Sequence, residues 1–157
     1  MCAVSSRGPA LKRIDTTAAR APEPVSGDEA EIAAAFTGLP VRLDADAALV
    51  VRGCRLNLTC LLGSKNHPFY VSFAAGRIVD MAPAPILMRS WCFSYRASPA
   101  AWVEFWKPVP RPGWHDLLAL TKKGEAVLEG DLLPFITHLQ YFKDVLALPR
   151  ARAGGAA

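Results

Sequence analysis

The sequence predicts an α+β domain in which one mostly antiparallel sheet carries helices on a face. Three observations support this class: alternating apolar residues suited to strands, capped segments with helical periodicity, and the order of these segments along the chain. That order is a helix, several strands, two helices, one strand and a final helix. The 157 residues contain no internal repeat and no sign of a second domain.

Composition and charge fit a compact protein with one core. Apolar residues make up 52% of the chain and charged residues 20%, which excludes a wholly disordered chain. The formal net charge is +4, and the lysines and arginines are scattered rather than gathered into a stripe. We therefore expect no nucleic-acid binding, while weak contact with an anionic membrane surface stays open.

The two ends of the chain differ in composition from its middle. Residues 1 to 27 are rich in Ser, Thr, Ala and Pro, so we expect a disordered N-terminal arm. Residues 28 to 148 form the predicted domain, and residues 149 to 157 form a flexible C-terminal tail. We find no secretory signal, no segment of the roughly 18 to 20 apolar residues that span a bilayer, and no Ser-Lys-Leu address at the tail.

A short helix is predicted over residues 28–36. Ser26 or Asp28 serves as its N-terminal cap, and Gly38 and Pro40 mark its end.

Three β-prone segments occupy the middle of the chain. Residues 47–62, interrupted at Gly53, would form one bent strand or a hairpin. Residues 69–81 form a predicted hairpin whose turn, at residues 74–76, contains a glycine. Residues 86–95 supply another strand, and its apolar side carries Leu87, Trp91, Phe93 and Tyr95.

Two helices are predicted next. Ser98 and Pro99 provide a serine cap and a proline at the first helical position, and the apolar stripe of this helix consists of Trp102, Phe105 and Trp106. Prolines between residues 108 and 112 hold the following chain extended. The second helix is predicted over residues 115–123 and ends at Gly124.

A strand, a tight turn and an amphipathic helix complete the domain. Residues 126–129 alternate as a short strand, Gly130 permits the turn, and Asp131 caps the helix. Pro134 lies in the first helical turn, where no amide hydrogen is needed, and Pro149 ends the helix at about residue 148. The apolar face consists of Leu132, Phe135, Ile136, Leu139, Phe142, Val145 and Leu146.

The polar residues show no arrangement typical of catalysis or of metal binding. His115 and Asp116 are adjacent near a helix start, where neighbouring side chains point about 100° apart and do not form a base and its orienting group. His67 and His138 lie far apart in sequence with no nearby carboxylate pattern. A glycine-rich phosphate loop and a Gly-x-Ser-x-Gly elbow are both missing. We expect a protein that is not an enzyme and uses neither cofactor nor metal.

The four cysteines are Cys2, Cys54, Cys60 and Cys92, and their spacing is not that of paired metal ligands. On one extended strand Cys54 and Cys60 would lie ~20 Å apart, at ~3.3 Å per residue, whereas a disulfide requires Cα atoms within ~7 Å. We expect buried free thiols in a reducing cytosol.

The aromatic residues allow two interpretations. Trp91, Phe93 and Tyr95 of one predicted strand are close in sequence to the aromatic stripe of the helix that begins near Ser98. Ordinary core packing explains such residues in most proteins. In a small domain with one sheet they would alternatively line a gap between sheet and helices that an apolar ligand fills.

The order of elements and the junction Leu128-Glu129-Gly130-Asp131-Leu132 resemble the sterol carrier protein 2 family of nonspecific lipid-transfer domains. The segment from Phe73 to Val79 is similar to the family's hairpin, and the resemblance covers residues 28 to 148. It implies a five-stranded sheet covered by helices, with an apolar tunnel between them. The family's tunnel accepts sterols, fatty acyl chains or phospholipids, so the resemblance implies lipid binding and transfer without catalysis.

The resemblance also implies which residues line the tunnel. The final helix would contribute Leu132, Phe135, Ile136, Leu139 and Phe142, and Gln140 is similar to a glutamine that family members place near the ligand. The candidate ligand-binding set is completed by Phe73, Trp91, Phe93, Trp102, Phe105 and Trp106. The lack of a peroxisomal address and the Ala, Arg and Pro bias suggest a bacterial cytosolic protein.

Two rival functions remain at this point. One is a protein-interaction module or accessory subunit with the same fold and a filled cavity, which would expose Trp106, Trp114 and the loop from Pro108 to Pro112 to a protein partner. The other is an enzyme that uses His115 and Asp116.

Overall fold

The structure is a computed structural model that describes residues 27–150. Most of the predicted N-terminal arm, the Ser26 cap, Cys2 and the tail beyond Arg150 lie outside the described residues.

Seven helices and one five-stranded sheet form the described part of the chain. In order they are α1 (Gly27–Thr37), α2 (Leu39–Asp44), α3 (Ala47–Arg52), β1 (Asn57–Ser64), β2 (Pro68–Ala74), β3 (Arg77–Pro83), β4 (Phe93–Ala97), α4 (Pro99–Phe105), α5 (Leu117–Lys122), β5 (Ala126–Gly130), α6 (Leu132–Thr137) and α7 (Leu139–Leu146). Within residues 27–150 no helix has the length and apolarity that a bilayer span requires.

The sheet confirms the predicted fold class. Its strand order is β3-β2-β1-β4-β5, with β1 and β4 parallel and every other neighbouring pair antiparallel. Most of the buried apolar side chains of the strands and helices join in one cluster. The domain is therefore α+β, with a single and mostly antiparallel sheet of five strands.

The first helix agrees with its prediction to within one residue at each end. Its side chains Ile32 and Phe36 are buried. Pro40 does not close this region, however, because it lies in the first turn of α2, a position where a missing amide hydrogen costs nothing.

The prediction that residues 47–62 are extended throughout is wrong in its first part. Residues 47–52 form α3, and β1 begins at Asn57. The carboxylate of Asp46 accepts a hydrogen bond from the backbone N of Leu49 at 3.0 Å, which caps the helix. This cap, with the good helix formers Ala47 and Ala48, outweighs the β preference of the valines that follow.

The prediction that residues 86–95 form a strand is wrong in its first part, since β4 begins at Phe93. Residues 84–92 instead connect β3 to β4, which β2 and β1 separate in the sheet. The Arg89 guanidinium lies 5.0 Å from the centre of the Tyr70 ring and forms an ion pair with Asp80. The backbone N of Cys92 donates a hydrogen bond to the Thr59 carbonyl at 2.8 Å. The segment crosses a sheet face and leaves Leu87 and Met88 exposed, at 91% and 95%.

Several predicted boundaries are confirmed. The β2–β3 hairpin turns at Ala75 and Gly76, both at positive φ. The Ser98 hydroxyl accepts a hydrogen bond from the Ala101 backbone N at 3.2 Å and caps α4. The second predicted helix begins two residues later than expected, at Leu117, and Gly124 follows its end at φ 75°.

The final segment is two helices rather than one. His138, with φ −110° and ψ 24°, ends α6 and precedes α7. The prediction of one continuous helix was wrong because apolar residues keep the same spacing on both sides of the break. The orientation of α7 is fixed by a hydrogen bond that the Tyr141 hydroxyl donates to the Gly76 carbonyl at 2.9 Å.

Gly53 and Gly76 bring α3, the β2–β3 turn and α7 into close contact. Gly76 has a φ of 77°, and a Cβ there would overlap the Val50 carbonyl oxygen and lie 2.8 Å from the carbonyl carbon of Gly53. A Cβ on Gly53 would in turn overlap the ring of Tyr141. This junction therefore depends on the absence of side chains as well as on backbone conformation.

Two glycine substitutions separate these effects. Gly124 also has positive φ, 75°, but no atom lies within 4 Å of the position that a Cβ would occupy. We expect Gly124→Ala to lower the free energy of unfolding by about 1 kcal/mol, the strain of the left-handed conformation. Gly76→Ala should lower it by about 1–3 kcal/mol more, the cost of overpacking. Equal losses in urea unfolding would contradict the described junction.

Glu104 organises the connection between α4 and α5. Its carboxylate, almost fully buried, accepts hydrogen bonds from Lys107 Nζ at 2.6 Å and from the backbone N of Arg111 at 2.9 Å. The Arg111 Nε lies 3.3 Å away. The Lys107 hydrogen bond, followed by those of Arg111, lowers the pKa of Glu104 to about 2.

The lowered pKa of Glu104 gives a pH dependence of stability with a defined sign. The unfolded chain binds a proton at Glu104 near pH 4.5 and the folded chain near pH 2, so acid favours unfolding in that interval. We expect the stability advantage of the wild type over Glu104→Gln to be complete above about pH 5 and to shrink toward pH 2. Urea unfolding at a series of pH values measures it, and a difference independent of pH would refute this role.

Candidate functional site

The candidate site lies where α6 and α7 cover the sheet. Phe93 of β4, Phe135 of α6 and Phe142 of α7 form a cluster with ring centres 5.2 Å (Phe93–Phe135), 5.1 Å (Phe93–Phe142) and 5.8 Å (Phe135–Phe142) apart. All three are fully buried. One ring from β4 and two from the consecutive helices α6 and α7 therefore define one apolar region.

Local sequence explains how α6 reaches this position. Gly130 ends β5 at φ 96°, and a Cβ there would lie 2.8 Å from the Trp91 ring. The Asp131 carboxylate then accepts a hydrogen bond from the Leu133 backbone N at 3.1 Å and caps the helix. These two residues turn the chain back so that Phe135 faces the sheet.

Tyr95 joins this cluster to a second group of aromatic rings. Its ring stacks on Phe135, with centres 6.0 Å apart and planes at 13°, and its centre lies 6.1 Å from that of Trp102. Trp102 contacts Phe36 at 5.2 Å and Trp106 at 5.2 Å. Aromatic packing thus continues from α6, across the sheet, to α1 and α4.

The twelve candidate ligand-binding residues differ in burial. Six are buried, namely Phe73, Phe93, Trp102, Phe105, Phe135 and Phe142. Trp106 and Leu139 are half-buried and pack against the core. The remaining four are exposed, namely Trp91, Leu132, Ile136 and Gln140. Only a subset of the twelve therefore meets in the interior around α6.

Gln140 does not face the aromatic cluster. Its side-chain amide donates a hydrogen bond to the Asp144 carboxylate at 2.8 Å on the exposed side of α7. The position near the ligand that the family resemblance implied for Gln140 is therefore not the one that this side chain adopts, because its amide pairs with Asp144 on the outer side of α7.

Three buried aromatic residues of the region were absent from the candidate set: Phe36, Tyr95 and Tyr141. The signal for Tyr95 was present, because it lies two residues after Phe93 on the same strand face. Tyr141 carried no such signal, since its role depends on the contact of α7 with the β2–β3 turn.

The polar atoms inside the region are already paired. Tyr95 donates to the Leu117 carbonyl at 2.9 Å, Tyr141 to the Gly76 carbonyl at 2.9 Å, and Trp102 Nε1 to the Gly63 carbonyl at 3.0 Å. Burial raises the pKa of both tyrosine hydroxyls, so they stay protonated. Within residues 27–150 the only buried side-chain polar atom without a partner is Nε of Arg96. The region around Phe135 therefore presents apolar surface.

Two clefts lie away from α6. One, of about 440 Å³, is bounded by α1, α4 and Pro149, and includes Trp106. The other, of about 500 Å³, is bounded by α2, the start of α3 and residues 148 to 150. The tunnel between sheet and helices stays a prediction.

Two of the titratable residues that the sequence offered for catalysis or metal binding, His67 and Asp116, form ion pairs. His67 Nε2 lies 2.8 Å from the Glu29 carboxylate, and Asp116 accepts from Lys143 at 3.0 Å. His115 is exposed next to Asp116. Among residues 27–150, no three His, Cys, Asp or Glu side chains are grouped so that they would hold a metal ion.

Comparisons with known proteins give similarity in structure alone. No protein-family model matches the chain, and no curated protein matches it in sequence. Several solved structures are similar in fold, and three of them are compared with the chain. Sterol carrier protein 2 superposes with a TM-score of 0.59 at 14% identity, over 76% of this chain and 96% of that one.

The second is TT1886, a conserved hypothetical protein of Thermus thermophilus described as a candidate sterol carrier protein. It has a TM-score of 0.52 at 14% identity, over 78% of this chain and 90% of its own. The third is the ubiquinone synthesis protein UbiJ-SCP2, with a TM-score of 0.50 at 17% identity, over 76% of this chain and 91% of its own. The chain therefore has the fold of sterol carrier protein 2, at sequence identities that establish the fold and not the function.

Proposed function

We propose that this protein binds one apolar ligand, such as a sterol or a fatty acyl chain, between α6, α7 and the sheet. The observation that carries the proposal is the position of Phe135. It is the one buried residue of α6, and its ring covers the apolar surface of Phe93, Tyr95 and Phe142.

The attachment of α6 suggests how a ligand gains access. The helix has six residues and lies between the turn at Gly130 and the break at His138. Leu132 and Ile136 are 41% and 49% exposed at its edge. We infer that α6 moves outward about these two ends, admits the ligand past Leu132 and Ile136, and closes with Phe135 against it.

The chemistry of the lining selects an apolar ligand. Each methylene group transferred from water contributes about 0.8 kcal/mol, so a chain or ring system of lipid size offsets the cost of ordering. The hydroxyl hydrogens of Tyr95 and Tyr141 and the indole hydrogen of Trp102 are donated to backbone carbonyls, so these three residues have no free donor for a ligand. Binding is therefore noncovalent, and transfer between membranes is the activity it would serve.

The names of two structural neighbours refer to sterol carriage, which fits this ligand class. We extend that class to this chain as part of the proposal. We also place the protein in a bacterial cytosol, the bacterial source being inferred from the Ala, Arg and Pro bias of the chain. Among the described residues Cys54, Cys60 and Cys92 are free thiols, which fits a reducing compartment, although only Cys60 is fully buried and Cys54 is exposed, contrary to the expectation of buried thiols.

A second candidate function uses the same fold without a ligand. The rings of Phe93, Phe135 and Phe142 already contact one another, which favours a filled interior and a role as an accessory subunit. Its contact surface would be the loop from Pro108 to Pro112, where Val109 is 82% exposed. The indole of Trp106 contributes little to such a surface, since it is half-buried and donates to the Leu146 carbonyl at 2.7 Å.

Charged substitutions in α6 and at the first residue of α7 test the ligand site. We expect Phe135→Asp or Leu139→Asp to abolish uptake of a fluorescent fatty acid, because a carboxylate facing the bound chain would be desolvated without a partner. Leu133→Asp is the matched control for Phe135→Asp, since Leu133 lies on the same helix, α6, and is 73% exposed. We expect this variant to bind the fatty acid normally.

The measurement is the fluorescence titration of each variant, with circular dichroism to establish that it is folded. Unchanged uptake by a folded Phe135→Asp variant would show that α6 does not line the ligand site. Equal loss in Leu133→Asp would show that the effect is not specific to the inward face.

A further inference from the structure

The connection between α4 and α5, together with the C-terminal end of α5, presents a basic surface, which we define as Lys107, Arg111, Lys122 and Lys123 with Trp114 and Val109. All four basic side chains are exposed. Within residues 27–150, Glu104 is the only carboxylate that forms an ion pair with any of them. The surface therefore carries an excess of positive charge, although the charges of the whole chain are scattered.

Trp114 holds two of these cations in place. The Arg111 guanidinium lies 4.6 Å from the centre of the indole ring, and the Lys123 ammonium lies 5.5 Å from it. The Lys123 side chain also passes within 3.1 Å of the Cβ position of Gly113, which has a φ of 78°. The indole is half-buried with both charged groups against it, so the ring and the cations form one composite surface.

Val109 is the most exposed apolar residue of the loop between α4 and α5, and we call its position the apex of the loop. It is 82% exposed between Pro108 and Pro110, whose rings restrict the backbone. The bond from the Arg111 backbone N to buried Glu104 at 2.9 Å fixes the loop at its base. An apolar side chain is thus held out in solvent by a braced loop, with little conformational entropy left to lose on contact.

We infer that this basic surface docks the protein on an anionic lipid bilayer, with Val109 inserted between headgroups and the cations on the lipid phosphates. Basic residues near an anionic membrane are attracted to it, and amphipathic tryptophan rings favour the interface. A nucleic acid would satisfy the same cations but gives no function to an exposed valine at the apex. The inference goes beyond ligand binding and does not depend on it.

Vesicle flotation of the full chain tests this docking. We expect binding to vesicles of phosphatidylcholine with phosphatidylglycerol, little binding to phosphatidylcholine alone, and weakening by salt. Lys122→Glu with Lys123→Glu should weaken binding on the order of tenfold or more, since each basic residue at the surface contributes severalfold. The control reverses the charges of the exposed Arg55 and Arg77, of which Arg77 begins β3 at the opposite edge of the sheet from β5. Because Arg77 also pairs with Asp44, circular dichroism is used to establish that this control is folded.

A second pair of variants tests the apex. Val109→Asp should lose binding while Val79→Asp, on the edge strand β3 and 63% exposed, should keep it. The blue shift of tryptophan emission on adding anionic vesicles should disappear in Trp114→Phe.

The basic residues Lys12 and Arg13 are an alternative source of attraction. Loss of vesicle binding in Lys12→Glu with Arg13→Glu, but not in the Lys122 and Lys123 variant, would overturn the inference. It would also be overturned if the wild type bound a single-stranded oligonucleotide and no vesicles. Fatty-acid uptake measured on the same variants distinguishes failure of membrane docking from failure of ligand binding, because charge reversal at Lys122 and Lys123 should leave uptake unchanged.

Discussion

The ring of Phe135 connects the last part of the chain to the domain, and the position of α6 depends on it. Its neighbours Phe93 and Tyr95 come from β4, and Phe142 comes from the following helix, α7. The same Tyr95 leads on to Trp102, whose indole is bonded to the Gly63 carbonyl of β1. Aromatic contacts therefore link α6 to the most deeply buried part of the sheet, and a ligand that displaced Phe135 would meet a preformed apolar surface.

This arrangement gives the two candidate functions a common physical origin. A closed α6 leaves the rings in contact and the interior filled, as an accessory subunit would require. An outward shift of α6 would expose the same rings to a lipid. Two free energies decide between the closed and the outward position of α6. Moving α6 outward costs the contacts of Phe135 with its three aromatic neighbours, and burial of a larger apolar ligand offsets that cost.

Much of the fold was predictable because local signals agreed with it. Ser98, Asp131 and the glycine turns set element boundaries that the structure confirms. The failures came where distant contacts decide. The crossing of residues 84–92 follows from the placement of β2 and β1 between β3 and β4, and the break at His138 leaves the apolar spacing unchanged. For the site, the inward direction of Phe135 and Phe142 follows from helical periodicity. The positions of Trp91 and Tyr141 depend instead on how the β3–β4 connection and α7 pack against the sheet.

Native mass spectrometry of the protein purified from its own cells is the most direct test of lipid binding, because it reports the occupancy of the interior without a chosen probe. We expect a chain carrying the added mass of one lipid, which an organic extract then releases for identification. A bare chain that takes up no added fatty acid, or a bare chain found only within a heteromeric complex, would contradict the claim that this fold serves here to bind a lipid.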